Sequence, residues 1–146
     1  MSIWTHVVAC ARIEYYGLDS DSIFGMERPT VSGSSREVSE DFYKHPEKYL
    51  PSGSEGTLRK IVCHNPDPFD TGKYIISIFG DLRDHYDPDG IIDWFRKKLE
   101  HEDLYVKQAV ITVENDRYGV RTWAYIDDFD REISKRRERF EVKYVD

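Results

Sequence analysis

Residues 73–125 place the tightest limits on how this chain can fold, because three consecutive elements can be read there from residue spacing. Residues 73–83 include a run of β-branched and aromatic side chains that is too short for a good helix, which predicts an interior strand. Asp87 then suits a helix N-cap, and a proline and apolar residues at helical spacing follow it. Residues 107–114 and 118–126 alternate about a polar connection, which is typical of a β-hairpin. The pattern predicts an amphipathic helix lying on a sheet.

The flanking segments add further elements to this centre. Residues 3–13 alternate in polarity and predict a strand, and residues 58–64 predict a short strand that pairs with 73–83 as a hairpin. Residues 127–139 are highly charged with a thin apolar stripe, so they are either a second helix or a charged loop. Residues 140–144 alternate again and predict a final strand.

The order of these elements predicts an α+β fold. From residue 73 onward the order is strand, helix, strand, strand, helix, strand, which is the split β-α-β, ferredoxin-like unit with an antiparallel sheet and its helices on one face. The strands at 3–13 and 58–64 would then extend this sheet at an edge. If 127–139 is a loop, the sheet is unaffected.

A long irregular insertion separates the first strand from the core. Residues 15–56 lose periodicity and are rich in glycine, proline and serine, and such a stretch is too long for an ordinary loop. We expect partial order there, with 19–56 the most mobile part of the chain. The length of 146 residues predicts a single domain, 1–146, whose core spans about 58–146.

Composition argues against several classes of partner. The net charge of −7 disfavours electrostatically driven binding to nucleic acid or to an anionic membrane. Neither a long apolar run nor a secretory signal pattern is present, so the sequence predicts a cytoplasmic protein without a membrane span. Cys10 and Cys63 lie in apolar, strand-like surroundings and are expected to be buried, reduced thiols. Whether the two cysteines meet stays open.

Acidic residues gather between the predicted central strand and its helix. Asp87 and Asp89 are already explained by the helix start, which leaves Asp81 and Asp84 as candidate ligands for a divalent metal. A third ligand cannot be placed, and the comparison with metal-binding ferredoxin-like domains rests on fold analogy alone. The cysteines and histidines lack zinc spacing, and no catalytic triad can be read from chain order. No cofactor is predicted apart from this possible metal.

Three short stretches carry a resemblance to a known group of proteins. Ser-Ile-Trp-Thr-His-Val at 2–7, the Pro-Ser-Gly-Ser-Glu-Gly region within 50–58, and Phe-Gly-Asp-Leu-Arg-Asp at 79–84 resemble small uncharacterised proteins encoded by bacteriophages and prophages. The resemblance implies the cytoplasm of a bacterial host and favours an interaction protein that acts on a host or phage protein. It implies no catalytic residue.

Two functions of different classes follow from these observations. The leading hypothesis is a non-enzymatic interaction or ligand-binding module, and the alternative is a small divalent-metal-dependent enzyme with its site at Asp81 and Asp84. The absence of a convergent catalytic signature in the sequence favours the first.

Self-association is expected because helices on one face leave the other face of the sheet uncovered. We assign Trp4, Trp123 and Tyr125 to this interface, with the opposite-face neighbours of Trp123 and Tyr125 as the alternative on that strand, and expect a symmetric, sheet-to-sheet homodimer. The competing possibility is that the insertion folds over the same face.

Overall fold

The computed structural model describes residues 2–15, 17, 22–27, 44–64, 72–85, 87–101, 103–127 and 141–145, the last of these as backbone. This part of the chain forms a six-stranded sheet and one α-helix. The elements are β1 (Trp4–Tyr15), a 3-10 turn (Pro46–Lys48), β2 (Arg59–His64), β3 (Lys73–Arg83), α1 (Pro88–Leu99), β4 (Leu104–Asn115), β5 (Gly119–Ile126) and β6 (Glu141–Val145). Within these ranges no helix has the length and apolar character needed to cross a bilayer.

The sheet is built around its first strand. The strand order is β2-β3-β1-β4-β5-β6, and every neighbouring pair is antiparallel. Since β3 and β4 are each antiparallel to β1, they run parallel to each other on its two sides. A parallel pair needs a crossover connection, which α1 provides, and α1 packs over β4 and β5.

The α+β class with an antiparallel sheet is confirmed, but the strand order differs from the ferredoxin-like prediction. In that unit β3 would lie beside β5 and β6, whereas here β1 lies between β3 and β4. The predicted edge position of residues 3–13 is therefore wrong, while β2 does lie at an edge. Length explains the difference, because β1 is a 12-residue strand that can pair along both edges with strands of 11 and 12 residues. The predicted helix at 127–139 lies outside the described residues, apart from Asp127.

The helix begins where the sequence predicts. Asp87 is the N-cap, and its Oδ1 accepts a hydrogen bond of 2.8 Å from the main-chain N–H of Gly90. Pro88 occupies the first turn, where its missing N–H costs nothing. The buried side of the helix carries Pro88, Ile91, Ile92, Phe95 and Leu99. This stripe packs onto one face of the sheet, as an amphipathic helix requires.

The core lies between α1 and that face of the sheet, which we call the covered face. Small Ala9 and Ala11 at the centre of β1 leave room for the helix above them. Trp123 of β5 contacts Phe95 edge to face, with 6.0 Å between ring centroids. The covered face is made of Val7, Ala9, Ala11, Ile13, Ile76, Ile78, Leu82, Ala109, Ile111, Val113, Trp123 and Tyr125, all buried.

Two parts of the predicted insertion pack against this core. Phe24 stacks on Phe95 with 5.2 Å between ring centroids, and Leu50 is 1% exposed. Further along, Gly56 adopts φ +80° and lies directly against the main-chain oxygen of Asp81, where a Cβ atom would collide. Residues 22–27 and 44–56 of the insertion are described, whereas its residues 16, 18–21 and 28–43 lie outside the described residues. The mobility predicted for 19–56 stays a prediction.

Candidate interaction surface

The side of the sheet away from α1 carries a second set of apolar side chains, which we call the open face. Successive strand residues point to opposite sides of a sheet, so the even-numbered residues of β1 lie on this side. The large apolar side chains here are between 39% and 66% exposed. They are Val8, Ile61, Ile75, Phe79, Val110 and Ile126, and we call them the apolar patch.

Strand register places the patch in three adjacent rows. The central row crosses the sheet through Cys10 of β1, with Ser77 and Ile61 on one side and Val110 and Ala124 on the other. The row nearer the start of β1 contains Val8 and Phe79, and the row nearer its end contains Ile75 and Ile126. Val8 and Phe79 lie opposite each other, whereas Arg12 and Gln108 lie between Ile75 and Ile126. Diagonal neighbours on adjacent strands join the three rows into one surface.

The open face is acidic at the end where β1 begins. Asp81 of β3, Glu114 of β4 and Asp116 of the following turn surround His6, and we call this cluster the acidic end. His6 Nδ1 lies 2.6 Å from Asp81 Oδ1, and His6 Nε2 lies 3.6 Å from Asp116 Oδ1. The hydrogen bond to Asp81 raises the pKa of His6, with smaller contributions from the neighbouring carboxylates, so protonation would offset part of the negative charge.

The opposite end of the open face is predominantly basic. Arg12 of β1, Lys73 of β3 and Lys107 of β4 lie there with the carboxylates of Glu14 and of Asp127, which accepts a hydrogen bond of 2.6 Å from the Tyr105 hydroxyl, and we call the three cations the basic end. Lys107 Nζ is 3.9 Å from Glu14 Oε1 and 4.4 Å from the centre of the Tyr105 ring. The open face therefore has an apolar middle with opposite charge at its two ends along the strands.

The structure corrects two of the three predicted interface residues. Trp123 and Tyr125 are 0% and 7% exposed and lie on the covered face, so neither belongs to the open face. Both faces of β5 carry large side chains, and only packing against α1 decides which one is buried. Trp4 is half-buried and lies on the open-face side, next to the acidic end. The β5 residues that lie on the open face are instead Ala124 and Ile126.

The two predicted metal ligands have separate roles. Asp81 contacts His6, whereas Asp84 accepts hydrogen bonds from the main chain of Ile3 at 3.3 Å and from the Ser54 hydroxyl at 3.0 Å. In the part of the chain that the structure describes, no three or more histidine, cysteine or acidic side chains are grouped closely enough to hold a metal ion. Asp81 and Asp84 thus act as hydrogen-bond partners that join β3 to the start of β1 and to the 54–56 loop.

The cysteines differ from the expectation of burial. Both are free thiols, Cys10 is half-buried and Cys63 is exposed. They lie on the open face two strands apart, because Cys63 pairs with Ile75 and Cys10 pairs with Ser77. Cys10 occupies the central row of the patch, which makes it a useful chemical marker for that position.

A separate groove lies on the side of the molecule that carries α1. Its volume is about 780 Å³, and it lies between the last turns of α1 and residues 46–52. Trp94 and the half-buried His85 contribute to its walls, and burial lowers the pKa of His85 and keeps its imidazole neutral near pH 7. The rim carries both signs of charge, from Lys97, Lys98, Glu47 and Glu100. Because the rim charges are balanced, they favour neither an anionic nor a cationic ligand. The groove could not be predicted from the sequence, because its two walls are distant in the chain.

No protein-family model, curated protein or solved structure matches this chain. The open face offers a broad apolar area with charged ends, which suits contact with another protein surface.

Proposed function

We propose that this chain is a non-enzymatic interaction module that self-associates through the open face of its sheet. The apolar patch is the observation that carries the proposal. A contiguous apolar area rimmed by charged residues is characteristic of a protein–protein contact site. The resemblance to phage-encoded proteins adds the expectation that this association takes place in bacterial cytoplasm.

Folding alone does not require the patch. An antiparallel sheet is stable with one face packed and the other polar, and here the covered face already holds the whole of α1. Val8 is 66% exposed although its neighbours in sequence, Val7 and Ala9, are almost fully buried. Large apolar residues on the open face are therefore best explained by a surface that covers them.

The site chemistry supports binding over catalysis. Asp81 and Asp84, the residues of the alternative metal-dependent enzyme, are each held by other partners. The groove beside His85 combines a neutral imidazole with balanced rim charges, and this combination does not indicate a particular reaction. No specific observation favours the enzyme hypothesis, and the open face favours association.

Sedimentation equilibrium at micromolar concentration tests the proposal. We expect the wild-type chain to be a dimer and Val110→Glu to be a monomer, because the new carboxylate would be desolvated in the central row of the interface. Tyr118→Glu is the matched control, since Tyr118 is a 45% exposed apolar residue in the β4–β5 turn, outside the patch. It should stay dimeric.

A wild-type chain that sediments as a monomer at every concentration overturns self-association. Unchanged circular dichroism of Val110→Glu shows that its loss of the dimer is not a loss of fold. A dimer that survives in Val110→Glu but not in Tyr118→Glu places the interface elsewhere and also overturns the proposal.

A further inference from the structure

The open face is arranged symmetrically about its central row. Going along β1, Cys10 lies midway between His6 at the acidic end and Glu14 beside the basic end. Along β3, Ser77 lies midway between Asp81 and Lys73. Apolar residues occupy the positions between the centre and the charged ends on β3, where Phe79 and Ile75 flank Ser77. A half-turn about the central row would therefore exchange Asp81 with Lys73 on β3 and His6 with Glu14 on β1.

We infer that the partner is a second copy of this chain laid on the open face with its strands antiparallel to the first, about a two-fold axis that follows the central row. The inference rests on the proposed self-association and specifies its geometry. In this arrangement each strand lies over its own counterpart, rotated by the roughly 30° that sheet packing imposes. Cys10 then faces Cys10 of the second copy.

The contacts produced by this axis are complementary. Asp81 of each copy approaches Lys73 of the other, and Glu114 lies over Tyr105, whose ring Lys107 Nζ contacts at 4.4 Å. Phe79 lies against Ile75 of the second copy, so an apolar residue meets an apolar residue. The aliphatic stem of Arg12 can cover Val8 while its guanidinium remains in water. Opposite charges at both ends favour this register and steer the encounter.

The competing symmetric arrangement places the two-fold axis along the strands. That axis would lay the acidic end of one copy on the acidic end of the other. Asp81 of each copy would then face Glu114 of the other. The basic ends would meet in the same way. Like charges placed together across an interface oppose association, so the charge distribution selects the antiparallel arrangement.

Cross-linking with a short bismaleimide tests whether the middle of β1 faces itself across the interface, and charge reversal distinguishes the two geometries. Cys63→Ser retains only Cys10, which faces its own copy across the axis, and we expect rapid formation of a covalent dimer. Cys10→Ser retains only Cys63, which lies two positions from the central row. The two Cys63 side chains would then be about 13 Å apart along the strands, from roughly 3.3 Å per residue, and we expect no cross-link.

Charge reversal gives an independent measurement. Asp81→Lys and Lys73→Asp should each weaken the dimer, raising its dissociation constant about tenfold, whereas the double variant should restore the wild-type value. Rescue occurs only if the two positions meet across the interface. Circular dichroism of each variant separates weakened association from loss of fold.

The outcomes separate this inference from the proposed function. A wild-type monomer overturns both. A stable dimer in which Cys63 cross-links and Cys10 does not, or in which the double variant is weaker than either single variant, overturns the antiparallel arrangement and leaves self-association intact. Cross-linking through Cys10 alone, together with rescue by the double variant, supports it.

Discussion

The two faces of the central strands use similar residues for different purposes. On the covered face, Val7 and Ala9 are 1% and 2% exposed beneath α1, whereas Val8 between them is 66% exposed on the open face. Valine is equally apolar on both sides, so the free energy that it contributes depends on how much of its surface is removed from water. The covered face stabilises the fold of one chain, and the open face is available to stabilise an assembly.

The largest effect expected from this comparison is at Trp123. Trp123→Ala removes a fully buried ring from the covered face and should lower the free energy of unfolding by about 3–5 kcal/mol. Ile126→Ala, on the same strand but 62% exposed on the open face, should lower it by less than about 1 kcal/mol. Urea denaturation of both variants at a concentration where the chain is monomeric measures the difference. Equal losses would contradict the division between the faces.

A smaller effect is expected where a polar group is buried on the covered side. Asn115 is 2% exposed, its amide donates to Thr5 Oγ1 at 2.8 Å, and its Oδ1 accepts from the main-chain N–H of Arg117 at 2.8 Å. Asn115→Ala leaves these partners unsatisfied and should cost about 1–3 kcal/mol in the free energy of unfolding. Thr112→Ala on the open face breaks a cross-strand hydroxyl contact of 3.1 Å with Thr122, and about 0.2–1 kcal/mol is expected. Thermal unfolding of the two variants compares them.

The smallest effects expected are in pH dependence, where two histidines act in opposite directions. Burial lowers the pKa of His85 below its ordinary 6.5, so the unfolded chain takes up the proton first and stability falls as pH drops below that value. Hydrogen bonding to Asp81 raises the pKa of His6 on the open face. Protonated His6 therefore adds to the free energy of unfolding below pH 6.5, and this stabilisation is lost as pH rises through the folded-state pKa.

Denaturation between about pH 5 and pH 8 separates the two histidines. His85→Gln should reduce the loss of stability that the wild-type chain shows below pH 6.5. His6→Gln should remove the stabilisation that protonated His6 provides in the same range. The effect of His6 is expected to be small, because its side chain is 40% exposed and therefore screened by solvent. If the two variants shift the profile in the same direction, the assigned causes are wrong.

Much of the local structure could be predicted from the sequence because its signals are local. The N-cap at Asp87, the alternation of residues 3–13 and the hairpin after residue 107 each depend on neighbours within a few positions, and each element is present. Self-association follows from a sheet covered on one side and stays a prediction, to which the structure adds the residues of the exposed patch.

The pairing of strands and the choice of face could not be predicted in the same way. Whether β1 lies at an edge or in the centre depends on β3 and β4, which are far from it in the chain. The identity of the buried side of β5 was equally hidden, since Trp123 and Tyr125 alternate with Ala124 and Ile126 and only the position of α1 distinguishes them. The acidic and basic ends of the open face also become visible only when the register is known.

The central position of β1 has a consequence for how the chain acquires its structure. Its partners are synthesised much later, and the hydrogen bond between Thr5 and Asn115 joins residues 110 positions apart. Until β4 has left the ribosome, one edge of β1 is unpaired, which makes it a target for chaperones or for premature association. Long-range pairing of this kind gives slow folding, in the range of milliseconds to seconds for sheets of similar topology. The strand that is made first is therefore among the last to be fully enclosed.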